Sequence, residues 1–314
     1  MFLVTIAANP MPEGGVVGTF KTPDGADIRF ARWMPTAGRK GTVCLFQGRT
    51  EFIEKYYEVV TELRSRGFAV ASLDWRGQGM SHRALADARK GHVRRFSDYD
   101  RDLEIFIKEV VLPDCPPPYF ALAHSMGGAI LLRAAHQGRR WFERMVLSVP
   151  MIGLTGRAGT GTARTSTRLM RLVGLGSSYM PTGGATAVSL LPFEGNELTS
   201  DPMRYARTAA TIEAEPALGL GSPTVAWLDS AYTAMNEFAQ PSYPRALRQP
   251  VLIIAASMDT VVSTPAIEKF AMRMRAGSHV VVPGARHELL MEQDHYRSQF
   301  WAAFDAFVPA TALY

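Results

Sequence analysis

Ser125 is the residue whose setting points most directly to chemistry. It closes the apolar run Tyr119-Phe-Ala-Leu-Ala-His-Ser-Met-Gly-Gly128, the pattern of a sharp strand-to-helix turn that lifts a hydroxyl clear of the backbone. Such a turn brings the chain two residues before and after the serine close to neighbouring backbone. Ala123 and Gly127 hold those places. Glycine is the usual occupant of both, so Ala123 adds one methyl group where strand and helix crowd. A serine hydroxyl is a weak nucleophile at neutral pH. It needs a histidine to take its proton and a carboxylate to fix that histidine's tautomer.

The order expected for such a turn is serine, acid, histidine. Gln249-Pro-Val-Leu-Ile-Ile-Ala-Ala-Ser-Met-Asp259 reads as a buried parallel strand that delivers Asp259 just past its carboxyl end. His279-Val-Val-Val-Pro-Gly-Ala-Arg-His287 reads as a short strand, a glycine turn and then a histidine before the last helix. Asp259 is therefore the expected acid and His287 the expected base. Of the other histidines, His82, His92, His136 and His295 lie in polar or helical contexts, His279 opens a strand, and His124 is expected to point away from Ser125. Asp74 also ends a strand but precedes the serine, and reads as an organiser of the turn Trp75-Arg-Gly-Gln-Gly79.

Attack on an ester carbonyl develops negative charge that must meet preorganised donors. The backbone N–H of Met126 is one expected donor. The other is expected from the loop after Gly41-Thr-Val-Cys-Leu-Phe-Gln-Gly-Arg49, with Arg49 the candidate and Thr50 the alternative.

Five segments in order carry a family resemblance: Phe46-Gln-Gly-Arg-Thr-Glu-Phe-Ile-Glu-Lys-Tyr56, Leu73-Asp-Trp-Arg-Gly-Gln-Gly-Met-Ser81, Gly91-His-Val-Arg-Arg-Phe-Ser-Asp-Tyr99, His124-Ser-Met-Gly-Gly128 and Arg286-His-Glu-Leu-Leu-Met-Glu292. Together they resemble the lysophospholipase and monoacylglycerol lipase family of α/β-hydrolases. The resemblance implies carboxylic ester hydrolysis. Two positions depart from the family pattern: Gln47 stands where histidine is usual before the oxyanion glycine, and Ala123 replaces the elbow glycine. Aspartate at the elbow, as in haloalkane dehalogenases and epoxide hydrolases, is absent. So is the His-Gly-Gly-Pro-Gly loop of proline iminopeptidases.

The elements needed to position these groups follow from periodicity. Strands are expected near 27–34, 42–47, 68–74, 119–124, 145–150, 251–256 and 279–283, with helices between most of them, which predicts an α/β fold with a mainly parallel sheet covered on both faces. Helix 52–66 carries the stripe Ile53, Tyr56, Val60, Leu63 and stops at Gly67. Helix 97–110 carries Tyr99, Leu103, Phe106 and Val110. Strand–helix alternation lapses between 152 and 247, a stretch rich in Gly, Thr, Ser and Met. The expected organisation is a core of residues 1–151 and 248–314 with a helical cap, 152–247, inserted over the strand ends. Met151, Leu169, Met170, Leu191 and Trp227, with Leu172, Met180 and Leu190, are the candidates to line an acyl pocket.

At 314 residues and 47% hydrophobic the chain can bury a large core. Cys44 and Cys115 are its only cysteines, too few for a disulfide framework. His287-Glu288 lacks a second histidine one helical turn on, so no metal site and no cofactor is expected. The start Met1-Phe-Leu-Val-Thr-Ile-Ala-Ala has no basic lead and is short for a signal segment, and no apolar run approaches a membrane span. The expectation is a cytoplasmic protein. With a net charge of +5 and Arg157, Arg164, Arg168 and Arg171 interleaved with apolar residues, peripheral contact with an anionic membrane surface is a further expectation. No motif accompanies the charge that would suit nucleic acid. Nothing here specifies an oligomeric state.

The leading expectation is a hydrolase of lipid-type esters, lysophospholipid or monoacylglycerol, working through an acyl-enzyme on Ser125. An esterase or thioesterase for small soluble esters is the alternative, and a non-catalytic binding protein on the same fold is the third reading.

Overall fold

The computed structural model describes residues 1–181 and 183–308. Eight strands form one sheet: β1 (Val16–Lys21), β2 (Asp27–Trp33), β3 (Thr42–Phe46), β4 (Ala69–Leu73), β5 (Tyr119–His124), β6 (Arg144–Ser148), β7 (Val251–Ala256) and β8 (Gly277–Val282). Their spatial order is β1-β2-β4-β3-β5-β6-β7-β8. β1 and β2 pair antiparallel, as do β2 and β4, and every other neighbour is parallel. This is the α/β-hydrolase architecture. The central strands β3, β4 and β7 are buried along their whole length, which is why each reads as an unbroken apolar run.

Helix Tyr57–Ser65 is entered through a tight turn at Ile53–Tyr56, and Ile53, Tyr56, Val60 and Leu63 all face the core. Gly67 ends it with φ +93°, a left-handed conformation that favours glycine. Helix Ser97–Phe106 continues into a wider turn at Ile107–Val111, and buries the expected Tyr99, Leu103, Phe106 and Val110.

β1 lies outside the expected strands. It is an edge strand with only Phe20 fully buried, so it carries little of the apolar signal of the interior strands. Between β6 and β7 the described residues form no named strand. They form helices Gly161–Leu172, Pro202–Ala214 and Val225–Phe238, with shorter turns between.

Candidate active site

β5 ends at His124, and helix Met126–His136 begins two residues later. Ser125 makes the turn between them at φ 47°, ψ −110°, a strained backbone for a residue with a side chain. Two hydrogen bonds hold it: Ser125 N–H donates to the Ser148 carbonyl at 3.0 Å, and the Met151 N–H donates to the Ser125 carbonyl at 3.0 Å. A Cβ on Gly127 would lie 2.7 Å from the carbonyl oxygens of both Phe46 and Gln47. The absence of a side chain there lets the end of β3 press against the elbow. Ala123 is fully buried within β5, so the strand accommodates its methyl group.

Beyond β7, Asp259 turns its carboxylate back into the fold. Its Oδ1 accepts from the N–H groups of Val261 and Val262, each at 2.8 Å, and its Oδ2 lies 2.7 Å from His287 Nδ1. Burial would raise the Asp259 pKa. The His287 imidazole and the two N–H donors outweigh it and hold the carboxyl below its ordinary value. With Nδ1 committed to Asp259, His287 has Nε2 for other chemistry, and His287 and Ser125 line the same cavity of about 930 Å³. Among the described residues no hydrogen bond joins the Ser125 hydroxyl to His287. Hydrolase sites without substrate often hold this pair loosely and tighten it around the bound ester.

The loop after β3 is braced from four sides. Gln47, fully buried, donates from Nε2 to Ser72 Oγ at 2.9 Å, and its carbonyl accepts from Trp75 Nε1 at 3.0 Å. Gln78 Nε2 donates to the carbonyls of Gly48 and Glu51. Gly48 N–H donates to Glu51 Oε2, which removes it as an oxyanion donor and leaves Arg49 and Thr50 as the loop's candidates. A Cβ on Gly48 would meet Ser125 Cβ at 3.2 Å and His124 Nδ1 at 2.8 Å, so this loop lies directly against the elbow. Met126 is the first helical residue, and an N–H there has no intrahelical acceptor.

The structure departs from expectation at His124. Instead of pointing away it lines the cavity, with Nδ1 3.0 Å from Glu51 Oε2 and Nε2 3.2 Å from the His287 carbonyl. Strand alternation sets adjacent side chains on opposite faces, but the turn at Ser125 ends the strand there. Glu51 Oε2 also accepts from Tyr56 OH at 2.7 Å. Lys55 Nζ bridges Glu51 at 2.9 Å and Glu288 at 2.5 Å. Burial opposes the charges of Glu51, Lys55 and His124. His124 and Lys55 nevertheless hold Glu51 well below the carboxylate range, and Glu51 raises the His124 pKa. One buried cluster thus ties the loop after β3, the elbow and the His287 loop together. Sequence reading passed over it, although Glu51 and Lys55 at four-residue spacing beside an apolar stripe were its signal.

Asp74 does organise its turn. It accepts from the Met80 and Ile53 N–H groups and pairs with Arg29.

Of the expected pocket residues, Met151, Leu191 and Trp227 line the cavity, with Met180. Leu169 and Met170 do not, which corrects the expectation for both. Helix Gly161–Leu172 turns Ala163 to the cavity and buries Thr167. Leu169, Leu172 and Leu190 are exposed, and Met170 is half-buried outside the lining. Both cysteines are buried and unbonded. Among the described residues there is no metal-binding cluster, and no helix is long and apolar enough to cross a membrane.

The chain is similar to known proteins along most of its length. The family model described as serine aminopeptidase, S33, matches residues 37–294. Lysophospholipase L2 of Escherichia coli (strain K12) is 31% identical over 293 residues, covering 89% of this chain and 83% of that protein. The monoglyceride lipase of Rattus norvegicus is 30% identical over 129 residues, 41% of each chain. In structure, a soluble variant of the Saccharomyces cerevisiae monoglyceride lipase superposes with a TM-score of 0.76 at 20% identity, covering 95% of this chain and 96% of that one. A carboxyl esterase from Bacillus coagulans superposes with a TM-score of 0.77 at 18% identity, covering 96% and 100%. By the extent of the sequence match, this chain belongs to the serine aminopeptidase S33 family of hydrolases, built on the α/β-hydrolase fold.

Proposed function

We propose that this protein hydrolyses carboxylic esters of lipid type through an acyl-enzyme on Ser125. The observation that carries the reading is the Asp259–His287 contact of 2.7 Å at a cavity shared with a serine on a strained elbow. The likeness to lysophospholipase L2 and monoglyceride lipases supports the substrate class.

In the proposed mechanism His287 Nε2 takes the Ser125 proton as Oγ attacks the ester carbonyl carbon. Asp259 holds the imidazole in the tautomer that can accept and stabilises the imidazolium. The carbonyl oxygen, now anionic, is held by the N–H groups of Met126 and Arg49. Each such donor is worth about 2.7–4 kcal/mol in the transition state. The C–O bond to the leaving alcohol breaks and His287 protonates that oxygen. Water, deprotonated by His287, then frees the fatty acid and restores Ser125.

Segment 152–247 acts as a cap over a core of residues 1–151 and 248–314, and supplies Met180, Leu191 and Trp227 to an acyl pocket. Outside that pocket, Leu169, Leu172 and Val173 are 58%, 67% and 73% exposed at the end of one cap helix, which suits contact with a lipid surface.

The test is fluorophosphonate labelling and ester turnover, for wild type and Ser125→Ala, across esters of increasing acyl length. The reading requires labelling and turnover to vanish in the variant and rates to be sustained on long chains. Collapse beyond short chains assigns a small-ester esterase instead. A wild type that neither labels nor turns over any ester leaves a binding protein.

A further inference from the structure

Most arginines inside this fold meet carboxylates. Arg29 pairs with Glu54 and Asp74, Arg76 with Asp24 and Asp102, and Arg133 with Asp100 and Glu237. Arg83 has none, but donates to the carbonyls of Gly77, Gly79 and Ala217. Arg49, like Arg83, meets no carboxylate, but it reaches a single carbonyl where Arg83 reaches three. Its half-buried side chain lines the cavity that holds Ser125, with Nη2 donating to the Gly221 carbonyl at 2.5 Å and the guanidinium 5.2 Å from the Trp227 ring centre. Nε is buried with no acceptor, and among the described residues no carboxylate pairs with it. Burial pushes its pKa down to about 10, countered only by the Tyr99 and Tyr179 phenols.

A guanidinium that is charged, partly dehydrated and without a carboxylate gains most from an anion carried in by a ligand. The other charges facing the cavity do not fill that role. Glu51 and Glu288 are tied up by Lys55 and His124, while Glu194, Glu197 and Arg157 are exposed among its lining residues.

We propose that the Arg49 side chain binds the phosphate of the substrate's leaving alcohol, so that the site selects a lysophospholipid over a neutral monoacylglycerol. The inference rests on the serine-hydrolase reading above. In a lysophospholipid the glycerol backbone separates the ester carbonyl from the phosphate. An arginine whose main chain borders the oxyanion can span that gap with its side chain. Guanidinium and phosphate then pair through two parallel N–H···O bonds, a geometry lysine cannot copy.

The experiment measures kcat/KM on a lysophospholipid and a monoacylglycerol of the same acyl chain, for wild type, Arg49→Gln and Arg49→Lys. Taking the ratio of the two substrates cancels any effect on the shared acyl chemistry. The ratio falls on the order of ten- to a hundredfold in Arg49→Gln, chiefly through KM for the lysophospholipid, and Arg49→Lys recovers part of it. A second arm uses wild type alone, so it decides the matter even if the variants do not fold. Glycerol 3-phosphate slows fluorophosphonate labelling of Ser125, and glycerol does not. An unchanged ratio in Arg49→Gln overturns the proposal, as does protection by inorganic phosphate equal to that by glycerol phosphate, which marks a general anion site. If wild type turns over neither substrate and does not label, the hydrolase reading has failed, a different outcome from a selectivity that ignores Arg49.

Discussion

The two walls of the cavity are built on opposite principles. On the core side, Glu51, His124, Lys55, Tyr56 and Glu288 form a closed set of charges and donors with almost no solvent access. On the cap side, helix Gly161–Leu172 buries only Thr167. Helix Val225–Phe238, by contrast, packs Trp227, Ala231, Met235 and Phe238 into the main hydrophobic core, and polar contacts join the segment to the core as well. Arg204 and Arg207 reach Glu58, Arg171 donates to the Arg94 carbonyl, and Trp227 donates to Tyr99 OH. Such a buried, ion-paired network favours one arrangement, because displacing any member strands a charge in low dielectric. Helix Gly161–Leu172, with one buried residue and exposed apolar residues at its end, can shift at less cost than helix Val225–Phe238. The core wall therefore holds one arrangement, and on the opposite wall helix Gly161–Leu172 is the element with room to adapt.

If that division holds, core-wall variants change kcat or folding and leave chain-length preference alone. The largest effect is expected at Asp259. In Asp259→Asn the side chain keeps its shape but no longer favours the tautomer His287 needs, and kcat falls on the order of 10⁴-fold in single-turnover assays. The acyl-length profile keeps its form. A profile that changed shape would show that the acid also governs the pocket.

Glu51→Gln comes next. It leaves Lys55 and His124 facing a neutral amide, and breaking a buried ion pair on one side costs about 3–5 kcal/mol, read by urea unfolding. The pH dependence has a definite sign. The Glu51 pKa is depressed in the fold, so its contribution is present above the ordinary carboxylate value and disappears as pH falls through the lower folded one. The His124 pKa is raised, so its contribution is present below the ordinary imidazole value and fades as pH rises through the higher folded one. The stability gap between wild type and Glu51→Gln is thus widest between the two and narrows on both flanks. A gap that is constant with pH would mean that the pair is not ionised, and the contrast between the walls would weaken.

This contrast also governs how much could be read from residues alone. The interior strands and the strand-end placement of Asp259 and His287 follow from apolar runs with abrupt polar ends, because burial on both faces leaves no other pattern. β1 escaped because one face meets water. His124 stands just before a turn where φ is positive, and beyond such a turn the alternation of a strand no longer says which side chains share a cavity. Glu51 and Lys55 are surface types by composition, and only the fold shows that each cancels the other's cost. The lack of strands between β6 and β7 was readable as a break in alternation, but the lining of the cavity was not readable residue by residue. Leu169 and Met170 share a helix with Ala163, yet its rotation puts Ala163 in the lining and not them, and a sequence of mixed arginine and leucine does not fix that rotation.

The smallest effect lies on the outer surface of the cap, and there it separates the walls most cleanly. Leu172→Ser combined with Val173→Ser touches side chains already 67% and 73% exposed. Stability should stay within about 0.5 kcal/mol of wild type per substitution, and turnover of a dispersed short-chain ester should be unchanged. Partition onto vesicles of anionic phospholipid, followed by sedimentation, should fall by several-fold. Each leucine or valine side chain moved from water to the acyl boundary contributes about 1.5–3 kcal/mol at most. Arg168 and Arg171 are both already engaged by Asp229, which limits how much they add through lipid charge. Raising ionic strength should therefore weaken vesicle binding less than removing the two apolar side chains. The reverse order would make the basic face, not the apolar tip, the part of the cap that meets lipid.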